Sequence, residues 1–568
     1  MSECVNPYNF IRPGKPAVKA EPRGHDKFEG LSGKITCSLK LITPVFIPDP
    51  EKRKEIEDGE NKGHKILEFF RVNNKPVIPP TELKGMIRSV VEAASNSCFS
   101  VFDGGRLGKR LEPRDKGYRR RIAGRIINIP SPNRDESVVE MEDIKVSDDV
   151  AKKYKFWNNI TVNGKEVYVN RNAIDGRKIT NTEDLSESFQ EGYTVGYLKT
   201  SDEFGSKKFE RVFVEKTNPR IFGFPYTIYQ DFRVANKNSK YDKTKDLKSG
   251  DTVWLRVKED KVEEIGFAQI YRKSFTYSLQ EKLEKWSREF SPCNNRNRLC
   301  PACRMFGMVA EGENKGGVAG NISFSMAEPL DSSWDLRSNQ LLKILSLPKP
   351  TFHPFYLLDG DYFNLQSKLR GRKFYWHQPF DELNGLKRYT TTREELKGKN
   401  QNLGLTSSVE LLLLPAEFIF TVDFDNLDEY ELGLLLWSLE LEDGMAHKLG
   451  MGKPLGLGSV GINIQKLEII DREKRYKEIF SSGISDKTSE KHTYIDAFKK
   501  GLEKENGNKF DEIPNISDLK KIMNLQNPPQ GNVRYPGDFK WFTNNKNQPL
   551  PTIDETVNKT KSLTGCTS

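Results

Sequence analysis

The chain has 568 residues, 36% hydrophobic and 30% charged, with a mean hydropathy of −0.66, so it is globular but polar and long enough for two or more cores. Ninety Lys and Arg against 80 Asp and Glu leave a net charge of +10 and a pI near 8.9, which favours acidic partners. No stretch approaches the roughly 18 apolar residues of a membrane span, the N-terminus lacks a signal-peptide core, and seven scattered cysteines do not resemble a disulfide framework, so a cytoplasmic, reducing location without a membrane partner is expected.

Residues 1–30, rich in Pro and Lys, read as an N-terminal arm rather than core. From Leu31, the alternation in KITCSLKLITPVFIP predicts a strand that Pro44 and Pro48 stop. A loop of mixed charge (Asp49 to Gly63) and a second strand (Lys65 to Val72) follow. In PVIPPTELKGMIRSVVEAA, Thr81 stands where an N-cap is expected, and Leu83, Ile87, Val90, Val91 and Ala94 mark a buried helix face. Lys84 and Arg88 lie four apart on another side, so the helix start is expected to turn its dipole and two cations toward an anion. Gly104 to Arg134 carries ten Arg or Lys against two acids, including Arg119, Arg120 and Arg121; because a guanidinium forks onto phosphate, this reads as a phosphate-contacting insertion. Short strand patterns between about Phe156 and Gln280, such as EVYVNR, ERVFVEK and TVWLRVK, predict a β-rich inserted subdomain. Val318 to Ser325 predicts a strand, Ser407 to Asp423 a strand or strand pair, and Leu427 to Leu441 an apolar helix. After Ile470 come charged helical patterns at Tyr494 to Glu505 and Ile516 to Leu525, then a polar tail.

Asp443 to Gly461, DGMAHKLGMGKPLGLGSVG, holds six glycines among one histidine and two lysines. Glycine supplies no packing side chain and loses the most entropy on ordering, so these glycines are expected to let backbone approach a partner closely. With His447, Lys448 and Lys453 interleaved, that partner reads as a polyanionic backbone held by amide N–H groups and cations, with Gly450, Gly452, Gly456 and Gly458 shaping the cradle. A P-loop needs Ser or Thr after Gly-Lys, and here Pro454 follows; the dinucleotide fingerprint needs strand, loop, helix, and here the order is helix, loop, strand. Nucleotide cofactor binding is therefore not expected.

Cys293, Cys300 and Cys303 form C-x6-C-x2-C, three of the four ligands of a tetrahedral zinc site. Cys98, His64 or a more distant histidine can supply the fourth; Cys98 is preferred, because such a site would pin the end of the first helix to the cysteine loop. Acids crowd the loop after the first strand, but interspersed Lys and Arg make a solvated loop the simpler reading.

Three of these segments, taken together and in order, resemble a known family. PVIPPTELKGMIRSVVEAA, LCPACRMFG and HKLGMGKPLGLGSV are similar to the Leu-Lys-Gly helix, the zinc-linked Cys-x-x-Cys segment and the terminal glycine loop of RAMP-superfamily CRISPR proteins, most of all the crRNA-binding backbone subunits of type III effector complexes. Thr81-Glu82 departs from the family's usual Ser-Ser and adds a negative charge there. The resemblance implies an α+β fold: an RRM-like (ferredoxin-like) core over 31–103 and 291–470, a basic, β-rich insertion over 104–290, a zinc-binding loop, and a helical C-terminal extension over 471–568. It also implies crRNA, complementary target RNA and other effector subunits as partners, structural Zn²⁺, and guide contacts from Lys84, Arg88, Lys448 and Lys453. Some such subunits cut target RNA with an aspartate in the loop after the first strand, which points to Asp49 or Asp58 with Mg²⁺. The alternatives are a metal-independent repeat-processing ribonuclease using His447, and a purely structural RNA-binding subunit.

Overall fold

The computed structural model describes residues 3–566 apart from 60, 111–120, 154–162, 175–177, 200–209, 237–245, 269–271, 311–315, 346–347, 379–384, 400 and 538. The chain divides into two compact units, one of Met1–Asp103, Gln280–Asp361 and Leu365–Ser568, the other of Gly104–Leu279 and Tyr362–Asn364.

The first unit is built on β1 (Leu31–Leu41), whose alternation buries Ile35, Cys37, Leu39 and Leu41 and exposes Lys34 and Lys40. Next comes α1 (Pro80–Ala94). Two consecutive prolines preset its start, so Pro79 is the N-cap, without a side-chain cap hydrogen bond, and Thr81 lies inside the first turn instead of capping it. Leu83, Ile87, Val90, Val91 and Ala94 are buried, as their spacing predicts. The helix ends where Asn96 takes a positive φ of 49° and the buried Asn515 donates to the carbonyls of Ala93 and Ala94, both at 2.9 Å, satisfying two orphan acceptors.

Further elements follow in order: α2 (Pro301–Phe306), β2 (Ile322–Phe324), β3 (Glu417–Leu427), α3 (Glu429–Leu439), β4 (Ser459–Ile470), α4 (Lys491–Asn506) and α5 (Pro514–Ile522). The sheet order is β4-β1-β3-β2, every neighbouring pair antiparallel. With α1 between β1 and β2 and α3 between β3 and β4, this is the ferredoxin-like βαββαβ arrangement. The sheet face away from the helices carries Lys34, Lys40, Ile419, Asp423 and Asn463 and no aromatic ring at these positions, so it offers no stack for bases there.

Both ends of the chain join this unit. Tyr8–Ile11 forms a strand antiparallel to Arg372–Tyr375, with Ile11 in the main core. That differs from the arm expected over residues 1–30: the proline-rich flanks hide a four-residue apolar strand whose partner lies more than 350 residues away. Cys4 and Cys566 form a disulfide, against the expectation of thiols alone; cysteine spacing could not show that the termini adjoin, with the Cys4 N–H donating to the Leu563 carbonyl at 3.0 Å. At the other end, α3 is apolar all round because α4 covers its second side. Gly433 permits the crossing: a Cβ there would stand 1.9 Å from the Tyr494 carbonyl oxygen.

In the second unit, five strands close a barrel: Ile122–Ile126, Glu136–Val146, Ile221–Phe224, Thr252–Lys258 and Lys261–Gly266. The ring runs first, second, third, fifth, fourth and back to the first; only the third and fifth are parallel, and the helix Tyr226–Asn236 falls between the third and fourth. This is the arrangement of an OB-fold. Val138, Phe222, Phe224, Val253 and Leu255 fill the interior. On the outer wall, Tyr197 and Phe213 of two added strands pack over Ala123, Met141 and Trp254, and the Arg125 guanidinium stacks 3.9 Å from the Tyr197 ring centre. The two added strands thus cover this part of the barrel's outer wall.

Candidate nucleic-acid cleft and metal centre

The helix α1 presents two stripes to two different sites. Residues 81, 82, 85, 86 and 89 border a cavity of about 260 Å³ shared with the glycine-rich loop, while Arg88 and Glu92, four apart, turn toward the cysteines.

The cavity is lined by three lysines, Lys373, Lys448 and Lys453, against one carboxylate, Glu82, together with His377, His447 and Tyr375. The Nζ of Lys448 donates to the carbonyls of Gly456 and Leu457, both at 3.1 Å. Burial, with Lys453 and Arg388 nearby, pushes its pKa down to about 7. Burial also lowers that of Lys453, with Glu82 opposing the shift. Lys373 holds its ammonium 4.0 Å from the Tyr8 ring centre and 5.0 Å from that of Tyr375. His447 is 1% exposed; its Nε2–H donates to the Leu439 carbonyl at 3.0 Å, and burial depresses its pKa to about 4. His377 is tied by Nδ1 to the Ser459 hydroxyl and by Nε2 to the Ala446 carbonyl, both at 2.9 Å.

The glycines serve this loop in a way the sequence did not suggest. Gly450, Gly452, Gly456 and Gly458 have φ of 71°, 73°, 104° and 80°. A Cβ at Gly450 would stand 2.4 Å from the Phe46 carbonyl oxygen, and one at Gly458 2.0 Å from that of Leu449. At these two the close approach permitted is to the chain's own backbone, whereas Gly452 makes room for the Leu457 side chain and Gly456 for that of Gln378. The cations therefore face the cavity while the glycines hold the fold behind them.

At the other stripe, the sulfurs of Cys98, Cys293, Cys300 and Cys303 lie within 4.8 Å of one another, and all four residues are buried. Cys98 Sγ is 3.6 Å from both Cys300 Sγ and Cys303 Sγ. Four sulfurs about 2.3 Å from a tetrahedral ion stand roughly 3.8 Å apart, so the cluster can hold a metal ion with little adjustment. Hydrogen bonds from Cys293, Cys303 and Cys98 push the Cys300 thiol well below its ordinary range, whereas those with Cys293 and Cys300 push Cys98 up. Arg88 donates to Cys303 Sγ at 3.7 Å, to the Gly307 carbonyl at 3.2 Å and to Glu92 at 2.9 Å. The buried Arg372 bonds Glu92 at 3.3 Å and the Ser97 carbonyl. Two guanidiniums thus stand beside four thiols, with the Glu92 carboxylate bonded to both.

The remaining expected residues are placed elsewhere. Lys84 donates to the Ile322 carbonyl at 3.4 Å, and neither it nor Arg88 borders the cavity. Asp49 is 8% exposed, and its carboxylate accepts the Glu51 N–H at 3.1 Å in a turn, whereas Asp58 is exposed on its loop; neither borders the cavity. His64 bonds the hydroxyls of Thr406 and Ser408 at 3.1 and 3.0 Å and is not among the cysteines. Arg119 and Arg120 lie outside the described residues, and Arg121 is half-buried just before the first barrel strand. Lys373, Tyr375 and His377 escaped the sequence reading because 330–400 carries no clear periodicity; they are delivered by the strand that pairs with Tyr8–Ile11.

Comparison with known proteins adds a partial likeness. Residues 38–273 match the model of the RAMP superfamily. The match begins within β1, includes α1 and runs through the barrel of the second unit. No curated protein sequence matches the chain. Among solved structures, the cryo-EM structure of the Type III-B Cmr-beta bound to cognate target RNA holds a chain with 12% identity, covering 76% of this chain and 96% of that one, at a TM-score of 0.17. A score that low supports no conclusion about this chain. Among the described residues, no helix is long and apolar enough to cross a membrane.

Proposed function

We propose that this protein is a crRNA-binding backbone subunit of a type III CRISPR interference complex, acting in the cytoplasm with other effector subunits and presenting its guide to complementary target RNA. The observation that carries this reading is the cavity between α1 and the glycine loop. There Lys448 and Lys453 are held against the cost of burial, beside Lys373 and a helix start without a side-chain cap, an arrangement that suits phosphate. Lys448, Lys453 and Lys373 grip the guide backbone, and Gly450, Gly452, Gly456 and Gly458 shape the loop that positions them. The match to the RAMP superfamily model and the three motifs in order support the assignment to this class of subunit.

The cysteine cluster holds a structural Zn²⁺ that ties the end of α1 to the loop of Cys293, Cys300 and Cys303. Target cleavage, where it occurs, falls to Asp58 with Mg²⁺, because the Asp49 carboxylate is engaged in its own turn. The rival role for His447 as acid and base in repeat processing is disfavoured by its burial, which keeps the ring neutral near pH 7.

The test is to recover the protein from its native host at moderate salt and sequence the RNA that accompanies it. Short RNAs sharing a repeat-derived tag with variable spacers are expected; intact protein without such RNA overturns the reading. Target RNA cleavage in Mg²⁺ that persists in Asp58→Ala would remove the catalytic part alone.

A further inference from the structure

We infer that the cavity between α1 and the glycine loop takes one unpaired base of the bound strand, and that the Glu82 carboxylate selects guanine there. The inference rests on the RNA-binding reading above and deepens it.

Three observations converge. The cavity is not lined as a phosphate site alone: beside its lysines, Met86, Val90, Phe374, Tyr375 and Met523 give it apolar walls, and about 260 Å³ leaves room for a flat heterocycle. A base splayed out of its stack sets its faces against such walls and offers its Watson–Crick edge to the polar groups around them. Second, Glu82 is half-buried and is the only carboxylate among the described residues of that lining. Phosphate oxygens are themselves anionic and repel it, so Glu82 suits a part of the ligand that the lysines do not. Third, this carboxylate is uncommitted. Among the described residues the Glu82 side chain makes no hydrogen bond or ion pair, yet it lies near enough to Lys453, across the same lining, to oppose that lysine's downward pKa shift.

The identity of the base follows from the chemistry of the edges. A carboxylate accepts and does not donate, so it pairs best with two donors side by side. Guanine alone among the RNA bases offers them, its N1–H and N2 amino group forking onto the two carboxylate oxygens. Adenine and cytosine set their amino group beside a ring nitrogen that accepts, and uracil flanks its N–H with two carbonyl oxygens; each of these acceptors faces the carboxylate unfavourably. An acid in the first turn also complements the helix dipole. That role gives no base preference, which separates it from this one.

The test measures, by anisotropy, the binding of full-length protein stripped of RNA to an oligouridine strand carrying one internal guanine. The same strand is then tried with adenine, inosine, 1-methylguanine or 7-deazaguanine in its place. Wild type is expected to favour guanine over adenine about tenfold or more. Inosine lacks the N2 amino group and 1-methylguanine the N1–H, so both should lose most of that preference, whereas 7-deazaguanine keeps both donors and should bind as guanine does. Glu82→Gln should bring the guanine strand level with the adenine strand. No base preference in wild type, with Glu82→Gln tightening every strand alike, would mean that the carboxylate only serves the helix start or offsets Lys453; that result overturns the inference and leaves RNA binding intact. A guanine preference that survives in Glu82→Gln overturns it as well. Should the variant fail to fold, the modified bases decide in wild type: full affinity for either the inosine or the 1-methylguanine strand overturns the inference. Absence of binding to every strand, with Lys448→Ala indistinguishable from wild type, overturns the RNA-binding reading beneath it.

Discussion

Lys448 carries the sharpest consequences of single-residue chemistry. Its folded pKa, about 7, lies below the ordinary lysine value. Between those values the unfolded chain binds more protons than the folded one, so stability without RNA should rise with pH over that window. Thermal unfolding followed from pH 7 to 9.5 should show a rise that Lys448→Met abolishes. RNA binding has the opposite sign, because phosphate favours the charged ammonium: affinity should fall as pH rises through 7, and Lys448→Arg should flatten that fall. The three cavity lysines should give a log–log salt slope of at least roughly −2 on single-stranded RNA, and Lys453→Ala should lower its magnitude by roughly 0.7. An unchanged slope in the variant would remove Lys453 from the phosphate contacts. Arg88 belongs to a different prediction. Because it bonds Cys303 Sγ, Arg88→Ala should weaken metal retention roughly 10–100-fold in a chelator competition, an effect that a guide contact alone would not produce.

The element that joins the two sites is α1. One stripe borders the cavity, another meets the cysteines, and the buried row of Leu83, Ile87 and Val91 seats it on the sheet. Leu83→Ala or Ile87→Ala, each removing a fully buried side chain, should cost about 2–5 kcal/mol in denaturant unfolding. Metal analysis should find about one zinc per chain, lost in Cys300→Ser together with thermal stability; a variant with full stability and no metal would show that the cluster is only thiols. The crossing of α3 and α4 is equally specific. The side chain introduced by Gly433→Val would meet the Tyr494 carbonyl oxygen of α4 and push that helix away from α3, and limited proteolysis should then cut within Lys491–Asn506.

At the scale of the whole molecule, the chain ends close on each other. The Cys4–Cys566 disulfide holds the terminal segments that carry Tyr8–Ile11 and the aromatic cluster of Trp541. Reductant, or Cys566→Ser, should lower the melting temperature, by an amount consistent with about 2–4 kcal/mol. Mass spectrometry of alkylated, unreduced protein checks the bond directly; if both cysteines are alkylated, the termini are held by packing alone.

The sequence by itself determined what depends on neighbours along the chain. Alternation located β1 and, of the barrel strands, Thr252–Lys258, helical spacing located the buried face of α1, and C-x6-C-x2-C three members of the cysteine cluster, because each of these is a local periodicity or spacing. It also named Lys448 and Lys453, whose loop is marked by its glycines. Only the tertiary structure decided which groups meet. It sent Arg88 to the cysteines and not to the cavity, since at about 100° per residue position 88 falls roughly a quarter-turn round the helix from the middle of the stripe of 81, 82, 85, 86 and 89. It brought Lys373 and His377 in from a segment without pattern, by a strand pairing with Tyr8–Ile11 that spans most of the chain. It joined Cys98 to a loop some 200 residues away and Cys4 to Cys566, contacts that no local pattern encodes. And it showed Gly450 and Gly458 yielding space to the chain's own backbone, because the clash a side chain would cause depends on atoms of Phe46 and Leu449 that only folding brings near.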